Sequence, residues 1–306
     1  MRKLLPFVLL ALALASTGCG QSSSTDTKLR PRHVVGRAAF SDGRPIPEFS
    51  VTVLGFDGVT AQTGGKGFLP WLGQGTFHDG TYAVETRNTF SHTKPVDGLV
   101  VDVQAKATLV YNAKTYLLPL YPTDGLWSWQ DNKEKGRESK NGLARDFVLK
   151  IAGLKPGNDN LPDILKTSAL QNPNNYYGAC LDLDDWNEGH NLRTTIPAEA
   201  LLVLTLVPQG VLLDGSTGKT ITRELPLKAL GTNASHVLDL PVGPYRVQAK
   251  IMNNGTATPL LVQVTWGDKS WTEAVTVDFP PFTLGGGRTE QQEGVSRQTL
   301  KLKLPH

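Results

Sequence analysis

Three kinds of residue cluster in this 306-residue chain could do chemistry. The densest acidic run is Asp182-Leu183-Asp184-Asp185-Trp186-Asn187-Glu188-Gly189-His190. Ca2+ takes about six to eight hard oxygens, so Asp182, Asp184, Asp185 and Glu188 are the candidate ligands. EF-hand spacing fails, because the glycine and the distal glutamate are misplaced; the other reading of the run is a solvated loop with local turn caps. Gly215-Ser216-Thr217-Gly218-Lys219-Thr220 ends like a phosphate-binding loop, but Leu213 stands where the motif needs its first glycine. It reads as a hairpin turn. His33, His78, His92, His190, His236 and His306 fall in no zinc-protease spacing, and no serine sits in a G-x-S-x-G elbow. Nothing in the sequence supports an enzyme or a resident cofactor.

The aromatic candidates are Tyr121, Trp127 and Trp129. The two tryptophans are two residues apart, so they share a face if that segment is extended, and the stretch around them is polar. With Tyr121 they can form a flat platform for a sugar ring or a partner protein; alternatively they cover the sandwich end or a domain interface. The last candidate is Cys19. Arg2 and Lys3 precede a mostly apolar stretch, residues 4–15, and then Ser16-Thr17-Gly18-Cys19. A basic start, a short apolar core and small residues before a cysteine resemble a bacterial lipoprotein signal. The resemblance implies cleavage after residue 18 and a diacylglycerol on Cys19, with Ser16 standing where the family usually has leucine. Ordinary cleavage after Ala15 is the alternative, and it leaves Cys19 a stray thiol.

Among the elements that must hold these residues, 19–32 read as a lipidated cysteine and flexible tether. Ten such residues reach about 15–20 Å r.m.s.. Residues 34–40 read as a strand, Ser41-Asp42-Gly43-Arg44-Pro45 as a turn, and residues 46–54 as a strand with Phe49, Val51 and Val53 on one face. Thr63, Gly67 and Phe68 follow, then Gly80, Tyr82 and Val84. Together with Val34, Gly36, Ala38, Asp42, Gly43 and Pro45, this series resembles the carboxypeptidase regulatory-like domain. That resemblance implies a transthyretin-like β-sandwich, with residues 69–79 as a longer link than the family has. Residues 101–111 alternate as a long half-buried strand, Asn112-Ala113-Lys114 turns it, and residues 146–151 close the sandwich.

Residues 153–197 read as a seam, rich in Asn, Asp, Gly and Pro, with a short helix at 162–170. In the second half, Gly243-Pro244-Tyr245-Arg246-Val247 matches Gly80-Thr81-Tyr82-Ala83-Val84, and residues 297–302 match residues 145–150. The expected architecture is therefore all-β: a signal peptide at 1–18, a β-sandwich at 33–152, the seam, and a second transthyretin-like sandwich at 198–306. Removing the signal takes two of the 31 basic residues and none of the 28 acidic ones, leaving a formal charge of +1. Such near-neutrality gives no reason to expect nucleic acid as a partner.

The expectation for function is a non-catalytic lipoprotein, anchored to the bilayer through Cys19 on the extracytoplasmic face of the envelope. It either binds envelope glycan or another surface protein, or acts as a structural spacer or assembly subunit without a ligand pocket.

Overall fold

The computed structural model describes residues 28–30, 33–56, 71–85, 100–124, 142–155, 172–187, 190–232, 235–265, 270–281, 289–291 and 296–305. Cys19, Trp127, Trp129, Glu188 and the helix expected at 162–170 lie outside them. The described chain is built almost wholly of strands.

The first half contributes β1 (His33–Phe40), β2 (Glu48–Phe56), β3 (Trp71–His78), β4 (Thr81–Glu85), β5 (Val100–Tyr111), β6 (Lys114–Pro122), β7 (Leu143–Ala144) and β8 (Phe147–Leu149). They bond in the order β3-β2-β5-β6-β8-β1-β4, with β7 beside β1. The alternation read in residues 101–111 is realised from Val103 onward. Val103, Ala105, Ala107, Leu109 and Tyr111 are buried, while Val110 is 73% exposed. Phe49 of β2 meets Tyr82 of β4 edge-on across the core, ring centroids 6.1 Å apart. One strand joins the two layers: β6 pairs with β5 from Lys114 to Leu120 and passes to β8 at Tyr121 and Pro122.

Two glycines explain the close packing here. A Cβ on Gly36 would overlap the Arg145 carbonyl and the Tyr82 ring, and the Tyr82 hydroxyl donates to that same carbonyl at 2.6 Å. The glycine of the first strand and the tyrosine of the fourth thus meet one backbone group before β8. Gly73 corrects an expectation. Residues 69–79 read as a longer link than the family has, yet Trp71–His78 is a strand paired with β2. A Cβ at Gly73 would lie 2.6 Å from the Glu85 carbonyl, so its bare backbone is what lets β4 cross so near.

The second half contributes β9 (Ala179–Asp184), β10 (Trp186–Asn187), β11 (His190–Asn191), β12 (Leu201–Pro208), β13 (Ile221–Pro226), β14 (His236–Leu240), β15 (Pro244–Asn253), β16 (Thr256–Pro259), β17 (Leu261–Val264), β18 (Val275–Asp278), β19 (Thr289–Gln291) and β20 (Arg297–Lys303). One sheet runs β13-β12-β15-β16 with β18 beside β15, and the other runs β14-β9-β20-β17. The seam expectation needs correction at β9. Residues 179–184 form a central strand of the second half, with Leu181 and Leu183 in the core and Asp182 and Asp184 on the other face. The GSTGKT stretch is irregular, no helix follows it, and β13 begins at Ile221.

Both halves follow one connectivity. In the first, β2 pairs with β3 and β5, and β1 pairs with β4 and β8. In the second, β12 pairs with β13 and β15, and β9 pairs with β14 and β20. The role of β6 is split there between β16 and β17, which break at Leu260.

Of the two matches the sequence suggested, residues 145–150 and 297–302 lie at equivalent strands, β8 and β20, but the tyrosine motifs do not. Tyr82 sits on β4, whereas Tyr245 sits on β15, so the two Gly-x-Tyr-x-Val motifs occupy non-equivalent strands. The true counterpart is Val-Gln-Ala-Lys, at residues 103–106 of β5 and 247–250 of β15. Gln104 faces Thr52 and Gln248 faces Thr205; Lys106 faces Pro119 and Lys250 faces Pro259. Each β-hairpin then turns through two residues of positive φ, Asn112-Ala113 and Asn254-Gly255, the primed turn that suits strand twist. From the shared lysine, β5 runs two residues further than β15 before it turns. Most of the buried apolar side chains of both halves belong to one continuous core.

Candidate functional site

The longer β5–β6 hairpin builds the joint between the halves. At its tip the Tyr111 hydroxyl donates to Asp278 Oδ1 at 3.2 Å, and Asn112 Nδ2 donates to Asp278 Oδ2 at 2.9 Å. Along the next residues of β6 lies β19, a strand from the second half, in parallel register: Thr289 beside Thr115, Glu290 beside Tyr116, Gln291 beside Leu117. At the far end of β6, Tyr121 stacks at a tilt on Tyr177, ring centroids 4.3 Å apart. Along β6, from Lys114 just after the turn to Tyr121, is about 23 Å at roughly 3.3 Å per residue. Further bonds flank this line. Arg44 Nη2 donates to the Asp214 carbonyl at 2.6 Å, and the Gly153 N–H donates to Asp239 Oδ1 at 2.6 Å.

Tyr121 therefore does not belong to an open platform. The residue is 9% exposed, its ring packed on Tyr177, and Lys150 Nζ lies 5.2 Å from the Tyr177 centroid. Burial pushes both phenols up, Tyr177 to about 12. A ring committed to this stack cannot also stack on a sugar. Trp127 and Trp129 lie outside the described residues.

The acidic run is likewise committed to other partners. Asp182 accepts from Arg297 Nη2 at 2.9 Å and Nε at 3.2 Å, across adjacent strands. Asp185, 3% exposed, accepts from Arg193 Nε at 2.9 Å and Nη2 at 3.3 Å. Asp184 sits opposite Lys301 in the β9–β20 register. The calcium expectation for Asp182, Asp184 and Asp185 is thus corrected. Two of the three carboxylates have both oxygens bound to a guanidinium, and Asp182 and Asp184 face away from the core while Asp185 is buried. Among the described residues no three His, Cys, Asp or Glu side chains converge to hold a metal ion. The solvated-loop reading fails too, since Asp182 and Asp184 are on a central strand. Beside them, Cys180 is fully buried and donates to Asp182 Oδ1 at 3.5 Å. Burial, then the Asp182 charge, push its thiol up to about 12.

No family model matches the chain. No curated protein matches it either. Among solved structures, the shaft pilin SpaA from Lactobacillus rhamnosus GG is 9% identical, over 90% of this chain and 100% of that one, with a TM-score of 0.20. The pilus adhesin SpaC from the same organism, in its open conformation, is 10% identical over 88% and 31%, with a TM-score of 0.22. A mutant of the major pilin from Streptococcus pyogenes is 11% identical over 88% and 96%, with a TM-score of 0.22. Likenesses at these TM-scores carry no weight for fold or function. The all-β architecture rests on the strands themselves.

Sequence reasoning missed Arg44, Arg193, Arg297, Asp239 and Asp278, which tie the halves or the strands together. One signal was available: the repeated Val-Gln-Ala-Lys marks β5 and β15 as equivalent, and with them the extra length of the first hairpin. Among the described residues, no helix is long and apolar enough to cross a membrane.

Proposed function

We propose that this chain is a non-catalytic envelope lipoprotein, tethered through Cys19, whose two sandwich repeats act as one rigid spacer or assembly subunit. The observation that carries the reading is β19, a strand of the second half added to β6 of the first. A flexible two-domain binder gains nothing from a main-chain ladder between its domains, whereas a spacer needs its parts held at a fixed angle. The tip bonds to Asp278 and the Tyr121–Tyr177 stack favour the same reading, because they place fixed contacts at both ends of the joint. Glycan recognition loses one of its three aromatic residues, and what is left of it rests on Trp127 and Trp129.

The test is a distance distribution between two spin labels, one at Thr76 on β3 and one at Arg223 on β13, both exposed strand positions. A single narrow distance is expected. A broad distribution would refute the rigid spacer. Membrane fractionation of Cys19→Ser checks the tether separately: the variant is expected in the soluble fraction, and one that stays membrane-bound after a salt wash overturns the lipid anchor. If tryptophan emission shifts with an envelope polysaccharide, and Trp127→Ala/Trp129→Ala abolishes the shift, glycan binding replaces the spacer.

A further inference from the structure

We infer that each half is built to carry tension along the chain, entering before β1 and leaving after β20. The geometry lies in the first and last strands of each half. β1 opens the first half and lies parallel to β7 and β8, which close it, over five register pairs: Val34 with Leu143, Val35 with Ala144, Ala38 with Phe147, Ala39 with Val148, Phe40 with Leu149. Where the ladder is interrupted, the Arg145 N–H donates to the Val35 carbonyl at 2.9 Å and the Arg37 N–H donates to Asp146 Oδ1 at 2.8 Å. β9 and β20 repeat the arrangement over five pairs, from Cys180 with Arg297 to Asp184 with Lys301. There the Cys180 N–H donates to the Ser296 carbonyl at 2.8 Å, and the Asp182–Arg297 pair ties the two strands a second time.

Parallel pairing decides how such a half meets a pull. Force drawing on the start of the first strand and the end of the last slides one along the other, so every bond of the ladder is loaded at once. Strands drawn apart from the same end are peeled, and their bonds break one after another. Inward side chains add to the resistance to sliding: Ala38, Phe40, Phe147 and Leu149 in one half, Leu181, Leu183, Leu300 and Leu302 in the other, all buried. The halves differ in hairpin length and in the strands they add, yet both keep the same clamp of first strand against last. The rigidity of the joint is a separate matter, tested by the label distances above.

The experiment is single-molecule pulling on the full chain in two geometries. Handles on cysteines introduced at Leu29 and Ala152 load the first clamp along its strands. Handles at Leu29 and Ala144 pull from just before β1 and just before β8, and peel the β1–β8 ladder. Leu29 and Ala144 are exposed, and Ala152 is half-buried just past β8. Circular dichroism on each labelled protein confirms the fold before pulling. At one pulling speed, the rupture force in the first geometry is expected to exceed that in the second by roughly a factor of two or more, since forced unfolding follows the barrier along the pulled coordinate. Equal forces in the two geometries would overturn the inference, as would a lower force in the sliding geometry.

Discussion

Removing the Arg193 guanidinium tests whether the acidic run is structural. Asp185 is buried and its side chain is 4% exposed, while that of Arg193 is 36% exposed. Arg193 follows β11 on a single helical turn, Leu192–Thr195, and its guanidinium lies where a side chain at Gly231 would go. Breaking a fully buried ion pair from one side costs about 3–5 kcal/mol, because a charge is left in a poorly hydrating site. Fully exposed pairs are worth about 0.2–1 kcal/mol. With one partner a third exposed, water can enter part of the vacated space, so Arg193→Ala is expected to cost about 2–3 kcal/mol, between those limits. At about 2–4 °C per kcal/mol for a unit of this size, that lowers the melting temperature by roughly 5–10 °C. Urea unfolding of Arg193→Ala, Asp185→Asn and the double variant measures the coupling, which is expected to exceed about 1 kcal/mol. The neutral amide should restore part of the loss, since it no longer strands a charge. If Arg193→Ala lies within about 0.5 kcal/mol of the parent, the argument from burial is wrong.

Cys180 is expected to stay unreactive toward a thiol reagent in the native protein at mildly alkaline pH and to react fully in denaturant; rapid native labelling would contradict its burial and raised thiol. Burial of Tyr82, Tyr111, Tyr121, Tyr177 and Tyr245 raises their folded-state pKa above the ordinary 10, Tyr177 to about 12. The protonated phenol is the form the fold favours, so this stability is fully present below pH 10 and is lost as pH rises through the folded values. Phenolate absorbance of these groups should therefore appear together with unfolding above pH 10, and smooth titration of a still-folded protein would refute it. Gly36→Ala should prevent stable folding or lower the melting temperature sharply, because its Cβ has no room beside Arg145 and Tyr82; a variant with unchanged melting temperature would show that β1 and β8 can separate freely.

How much of this was legible in the sequence depended on whether the signal was local. Alternation in residues 101–111 announced β5, and Asn112-Ala113 announced its turn, because period and turn chemistry are written in neighbouring residues. β3 was missed since Gly73 and Gly75 look like punctuation, and only the Glu85 backbone pressed against Gly73 reveals why a strand keeps them. β9 was missed for the opposite reason: its outward residues are acidic, and the leucines between them were outweighed. Arg44 and Arg297 were not readable at all. Arg44 meets the Asp214 backbone 170 residues away and Arg297 meets Asp182 across 115, so nothing near either arginine in sequence names its partner. Tyr121 was legible as an aromatic near a turn, but its burial depends on Tyr177, which reaches it from beyond residue 172.

Pairing the first strand of each half with its last also sets a clock for folding. β1 waits for a partner region 109 residues on, and β9 for one 115 residues on, as the Arg37–Asp146 and Asp182–Arg297 contacts record. Such long-range closure slows folding. At a synthesis rate of about 5–20 residues per second, β9 stands without β20 for roughly 6–23 s. During that time Leu181 and Leu183 lack the strand that covers one side of them. A nascent chain stopped before residue 297 is therefore an open sheet with a bare central strand, a target for chaperones, proteases and its own kind.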